Sequence, residues 1–282
     1  MSAQDEMVAT TESTSSLTSR KHIWGTRTGQ RLATVLLGVL MLLAWDLSVR
    51  TGLVHEIILP YPSHVLEALG VELKSALFWV HFKVTTIETL AGFLIGAAIG
   101  FALGALLGMS AWIRAVTFPY VVGFQGLPKV VLAPIFITAL GFGMGSKIAM
   151  AAALAFFPVL LNTMVGILGV DKDQARVLQA YGATPWQRFR KLTLPSAAPM
   201  VSAGLKASLT FALIGAIVGE FVGASEGLGF LLNSYAYRLK IPEVWAIMVV
   251  LAFLGVVLYW LIDVVDRRII FWTEDRNISS TT

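Results

Sequence analysis

Six apolar stretches constrain this chain more than any other feature: roughly residues 32–49, 84–109, 115–141, 146–170, 200–222 and 244–265. Each approaches or exceeds the ~20 apolar residues that a helix needs to cross the hydrocarbon core of a bilayer with its backbone groups paired internally. Six helical spans are therefore expected, and with them an all-α, polytopic membrane protein. Composition agrees, because 56% of the 282 residues are hydrophobic and only 13% are charged, too much apolar surface for a water-soluble core. The third stretch is the least regular. Pro119, Pro128 and Pro134 interrupt it, and each removes a helix donor and crowds the preceding turn, so a broken or kinked helix is expected there.

Residues 1–30 read as a disordered tail, rich in Ser and Thr up to residue 19 and basic after it, and 271–282 as a second tail; 31–270 form the membrane domain. The first apolar run is about as long as a span and lacks a small-x-small exit, so it is expected to be an uncleaved helix. Placing both termini in the cytoplasm collects Arg20, Lys21, Arg27, Arg31, Arg114, Arg267, Arg268, Arg276 and the bases of the 171–195 segment on one side, the positive-inside pattern of a cytoplasmic membrane. The outer side then carries 50–83, where Pro60 and Pro62 predict a turn and a short interfacial helix, and 223–243. The second loop is too apolar around Phe230 and Leu232 to be freely solvated and is expected to dip back into the bundle.

The second span has glycine at every fourth position, Gly92, Gly96, Gly100, Gly104 and Gly108. Small residues at this spacing let helix backbones approach closely in lipid, so the stripe marks helix packing rather than chemistry. Because four residues turn a helix by about 400°, the stripe is expected to wind around and meet more than one neighbour.

Several functional classes fall away. The net charge of +4 comes from bases scattered among apolar spans, which suits lipid headgroups and not nucleic acid. With no cysteine, and four histidines that lack metal-site spacing, no metal site is expected. There is no GxxxxGK[ST], so nucleotide binding is not expected on this chain. A membrane-embedded enzyme would need a clustered nucleophile, metal or acid/base set, and none stands out. The alternative of a secondary transporter or channel would call for ionisable residues deep in several spans and an internal repeat, and neither stands out.

Polar residues at membrane depth are costly unless they face a cavity or a partner. Lys129, in the broken third span, and Glu220, late in the fifth, either line a translocation path or serve structure, Lys129 by snorkelling and Glu220 by capping the 223–229 loop. Gln125 and Asn162 either line the same path or join helices by hydrogen bonds.

The conspicuous polar interruption is Asp171 to Pro195, DKDQARVLQAYGATPWQRFRKLTLP, with five bases against two acids. Asp171 and Asp173 suit a helix start, and Gly182 its end. Thr184, Pro185 and Gln187 then supply a cap, a first-turn proline and the third-position residue of a capping box, starting a second helix that Leu194 and Pro195 are expected to stop. The corner projects Ala183, Pro185 and Trp186. A simple reconnection needs only a few residues; this one builds two helices and exposes a tryptophan, a residue suited to anchoring partners.

The spacing of Gly182, Leu192, Leu194 and Pro195 resembles the EAA loop of permease subunits of bacterial ABC importers. ILPYPSHVLEAL, LPKVVLAPIFI, GFG, AFFPVLLNT, GEFVGASEGLGFLL and the terminal DRRI are similar to the nitrate, sulfonate, taurine and bicarbonate branch of the binding-protein-dependent transport system inner membrane component family. The resemblance implies a type I, MetI-like permease that forms the path for a small anion or organic acid and is not itself an enzyme. It implies two cytoplasmic ATPase subunits carrying ATP and Mg, docked at Gly182, Ala183, Thr184, Pro185, Trp186 and Arg188, with no cofactor on this chain. A second permease copy and an external binding protein complete the implied assembly. Arg176, Val177 and Leu178 stand where the family has Glu-Ala-Ala, so a base replaces an acid there.

Overall fold

The computed structural model describes residues 27–270 and Trp272. The expected tails lie wholly or mostly outside these residues, as do Arg20, Lys21 and Arg276. Two units are present, one up to Pro62 and the other from Ser63 onward. In the first, helix α1, Arg27–Arg50, is apolar enough to cross a membrane. Its end is tied locally: Trp45 Nε1 donates to Pro60 O at 2.9 Å, and Arg50 pairs with Asp46 one turn back.

The second unit contains α2, Pro62–Glu72; α3, Ala76–Met109; α4, Ala111–Gln125; α5, Leu132–Leu140; and α6, Met144–Leu168. The expected short helix after Pro62 is α2. Five helices among the described residues are long and apolar enough to span a membrane, or six when α4 and the 129–140 segment count as one broken span, bent by 82°. Pro119 is accommodated inside α4, and the break falls at Gly126 to Pro128, before a 3-10 turn at Lys129–Val131. Proline therefore breaks this span at one place of the three where it occurs.

After α6 come α7, Lys172–Ala180, and α8, Pro185–Arg188. A π turn, Phe189–Thr193, leads directly into α9, Leu194–Gly223, so residues 185–223 form one unbroken helical run. This corrects the expectation that Leu194 and Pro195 end the second short helix. The widened turn puts an extra residue ahead of Pro195, whose ring would otherwise press on the carbonyl four residues back. Helix α10, Leu228–Tyr237, folds back against the bundle, and α11, Ile241–Ile269, closes it. Leu228 and Leu231 of α10 are buried with Leu213, Ile247, Val250 and Leu254 of α9 and α11, so the first half of α10 dips into the core while Tyr237 at its end and Leu239 beyond it stay exposed.

The centre of the bundle is made of small residues. Ala151 and Ala155 of α6 meet Ala212 and Ala216 of α9, all fully buried. The same alanines of α6 also meet the glycine stripe of α3. A methyl group added at Gly96 would lie 2.5 Å from Ala152 O, at Gly100 2.5 Å from Phe156 O, and at Gly104 2.5 Å from Leu160 O, while Gly92 packs on Ala151 and Gly108 on Ile167. The nearest neighbours of all five glycines therefore belong to α6, where the sequence pattern suggested more than one partner. Contacts advance by four residues on both helices, so the two ridges wrap together and the stripe stays in one seam.

Candidate functional site

The corner between α7 and α8 is built from local bonds. Asp171 Oδ1 accepts from Asp173 N at 2.8 Å and caps α7. At the other end Gly182 takes φ +76°, the left-handed conformation that glycine adopts without steric cost. Ala183 N donates to Leu178 O and Gly182 N to Gln179 O, both at 3.0 Å, the two bonds of a Schellman stop. Two residues later, Gln187 N donates to Thr184 Oγ1 at 3.3 Å and Thr184 N to Gln187 Oε1 at 2.8 Å, closing a complete capping box, with Pro185 in the first turn.

The two helices are also tied to each other. Arg188 Nη1 donates to Gln179 Oε1 at 3.3 Å, so the arginine braces the corner from inside. Trp186 stacks on Phe189 with ring centroids 5.7 Å apart, yet remains 67% exposed. Tyr181 is also exposed, while Ala183 is half-buried. The departure at Arg176 is taken up within α7, where its guanidinium pairs with Asp173 at 3.0 Å. The corner therefore presents an exposed tryptophan on backbone that satisfies its own hydrogen bonds.

A second polar constellation lies at the opposite end of α9. Glu220 is 1% exposed and both of its oxygens are engaged: Oε1 accepts from Thr85 Oγ1 at 2.6 Å and Oε2 from Gly229 N at 2.5 Å. Thr85 Oγ1 in turn accepts from Leu228 N at 2.7 Å, and His81 Nδ1 accepts from Gly227 N at 3.0 Å. The orphan N–H groups at the start of α10 are thus satisfied by side chains of α3 and α9. Gly227 takes φ +110° here, and any Cβ on it would run into the Glu220 carboxylate. Tyr235 OH donates to Glu72 Oε1 at 2.5 Å and ties α10 to α2; burial, and then the Glu72 carboxylate, push the phenol up, so it stays a neutral donor. Lys147, fully buried, donates to Phe142 O at 2.6 Å and to Gly223 O, joining the starts of α6 and the loop.

The sequence-derived path residues fall into three places. Gln125 ends α4, and Lys129 Nζ donates to its carbonyl at 3.2 Å while lying 4.9 Å from the centre of the Phe157 ring. Asn162, five residues beyond Phe157 on α6, donates to Pro158 O at 2.8 Å and packs against Gly204. Gln125 and Lys129 thus meet at the broken span, whereas the contacts of Asn162 are with α6 itself and α9. Glu220 stands apart, sixteen residues past Gly204 on α9, about 24 Å along the axis.

Thr85, Glu88, His81 and Lys147 were not singled out from sequence. The available signal was ionisable side chains inside apolar runs, Glu88 and Lys147 above all, which lipid tolerates only when they face partners or a cavity. Among the described residues no group of three or more His, Asp or Glu is arranged to hold a metal ion.

Comparison with known proteins gives the same frame. The family model described as "Binding-protein-dependent transport system inner membrane component" matches residues 92–271. A probable ABC transporter permease protein of Haemophilus influenzae is 32% identical over 237 residues, covering 84% of this chain and 96% of that one. A formylaminopyrimidine transport permease protein of Halalkalibacterium halodurans is 29% identical, covering 88% and 98%. Among solved structures, an inward-facing MetNI methionine ABC transporter superposes with a TM-score of 0.56 at 25% identity, covering 67% of this chain and 92% of that one.

Proposed function

Because the chain belongs to the family of binding-protein-dependent transport system inner membrane components, we propose that its Gly182 to Arg188 corner is the seat of an ATPase subunit and that its spans carry a small anion or organic acid. The chain is a multi-pass permease of an ABC transporter, a non-catalytic subunit whose ATP is hydrolysed on a partner. The observation that carries the docking assignment is the doubly capped corner itself, with Trp186 exposed at its tip.

In the finer reading, 171–195 is a cytoplasmic coupling loop within a 31–270 permease domain, and both termini lie in the cytoplasm, as the distribution of bases favours. Two permease copies and two ATPases form the transporter, and an external binding protein meets the 50–83 and 223–243 loops. Closure of the ATPases draws the two corners together and opens the path outward; each ligand acts by favouring one of the two conformations. Trp186→Ala in the reconstituted transporter is expected to leave ATP hydrolysis running while uptake falls, and wild-type coupling in this variant would sink the docking assignment.

The anion follows from the resemblance to nitrate, sulfonate, taurine and bicarbonate permeases and is compatible with Lys129, a base at the break between α4 and α5. Gln125 and Asn162 would line the same path. The formylaminopyrimidine permease among the relatives favours a second reading, a small pyrimidine. Mass analysis of the ligand that co-purifies with the co-encoded binding protein separates the two: a carboxylate, sulfonate or inorganic anion supports the first, a neutral heterocycle the second.

A further inference from the structure

The seam between α9 and α11 holds polar atoms that the rest of the molecule leaves idle. Lys206 Nζ lies between Asp263 Oδ1 at 2.7 Å and Asp266 Oδ2 at 2.8 Å, and Arg267 Nε holds Asp263 Oδ2 at 2.9 Å. The two cations use three of the four carboxylate oxygens. Asp266 Oδ1 has no partner, and neither has Ser202 Oγ, although Ser202 is only 7% exposed. Unpaired polar atoms this well buried are costly.

Both residues line one cavity of about 170 Å³, whose remaining wall is apolar. Four of its wall residues, Val201, Leu205, Ile262 and Val265, also line a groove of about 620 Å³ that continues over α3 along Phe93, Ala98 and Phe101. A crevice with a polar head and a long apolar body therefore runs along α3, α9 and α11. Its head is shallow. Asp266 lies three residues from the end of α11, about 4.5 Å along the axis. Trp272 donates its indole N–H to Pro195 O at 3.2 Å, next to Leu194 in the same cavity wall, the placement usual for tryptophan at a membrane interface.

We propose that this crevice binds one phospholipid with a primary-amine headgroup, its ammonium between Asp266 Oδ1 and Ser202 Oγ and an acyl chain in the groove over α3. The head chemistry selects the class. A phosphate oxygen is an acceptor only and leaves both Asp266 Oδ1 and Ser202 Oγ without a donor. A quaternary ammonium has no N–H to give, whereas a primary ammonium has three and can satisfy both acceptors at once. The apolar side chains of a neighbouring helix would cover the groove yet leave both polar atoms unpaired.

The test uses the full-length chain with its ATPase, stripped of lipid in detergent and reloaded from mixed micelles of phosphatidylethanolamine, phosphatidylcholine or phosphatidylglycerol with matched acyl chains. Retained lipid is read by native mass spectrometry. Phosphatidylethanolamine is expected to be retained about tenfold over the other two, with Ser202→Ala and Asp266→Asn lowering it to their level. Asp266→Asn also weakens the Lys206 network, so Ala98→Trp, which fills the exposed groove away from the polar head, is the decisive second variant and is expected to reduce retention of all three lipids. Equal retention of the three lipids overturns the proposal. So does retention that Ala98→Trp leaves unchanged, or crosslinking of position 98 to a second copy of the chain with no lipid retained.

Discussion

Two segments connect long helices with short ones, and they are built in opposite ways. The corner formed by α7 and α8 closes every one of its bonds within nine residues, from Asp171 to Asp173, Thr184 to Gln187 and Gln179 to Arg188. It exposes the residues that give it shape. The 223–240 segment with α10 takes most of its side-chain partners from 76 to 163 residues away, through Lys147 with Gly223, Thr85 with Leu228, His81 with Gly227 and Glu72 with Tyr235. It adds the nearer Glu220 with Gly229, and buries Leu228 and Leu231. A self-capped segment keeps its form while it moves against another body. A segment held by distant side chains has its form only while the bundle is intact.

The comparison is broken most severely at Glu220. Glu220→Ala leaves the Thr85 hydroxyl and Gly229 N–H buried without an acceptor, at a cost of about 2–5 kcal/mol. A large fall in the melting midpoint of the purified protein is expected, and an unmoved midpoint would mean that this end is not held from afar. Tyr235→Phe removes one buried bond to Glu72 and is expected to cost about 1–2 kcal/mol on the same measurement. Gly182→Ala meets the left-handed backbone at φ +76° and costs about 1–2 kcal/mol locally. Because the corner stands apart from the core, the midpoint should stay within error while ATP-coupled uptake falls. Thr184→Ala, which removes one half of the capping box, is the mildest, at about 1 kcal/mol. It should raise protease sensitivity near residue 184 and leave the bundle untouched; a drop in the midpoint equal to that of Tyr235→Phe would erase the distinction between the two segments.

The same contrast explains what was legible in the sequence. Cap chemistry is local, so Asp171, Gly182, Thr184, Pro185 and Gln187 announced the corner almost to the residue. The spans followed from length and apolarity, and the glycines of α3 from their spacing. The partner of that stripe did not follow, because a four-residue repeat on α3 stays in one seam only if α6 repeats in step, as Ala152, Phe156 and Leu160 do. Pro195 misled for a related reason. A proline is read as a stop unless a preceding turn widens to receive it, and nothing in Phe189 to Thr193 taken alone declares a π turn. Thr85 looks like an ordinary residue of a span, and His81 like one of the 50–83 outer loop, until chain geometry brings Leu228 and Gly227 against them.

The run from Pro185 to Gly223 is 39 helical residues without a break, about 58 Å of stiff rod. Trp186 sits at one tip and Glu220 close to the other, with the π turn and Pro199 as the points of weakness between them. A rod of this kind behaves as a crankshaft: a roll or thrust applied at the tryptophan arrives at the far end as a displacement of the carboxylate that holds α10, less the compliance of the wide turn and of Pro199.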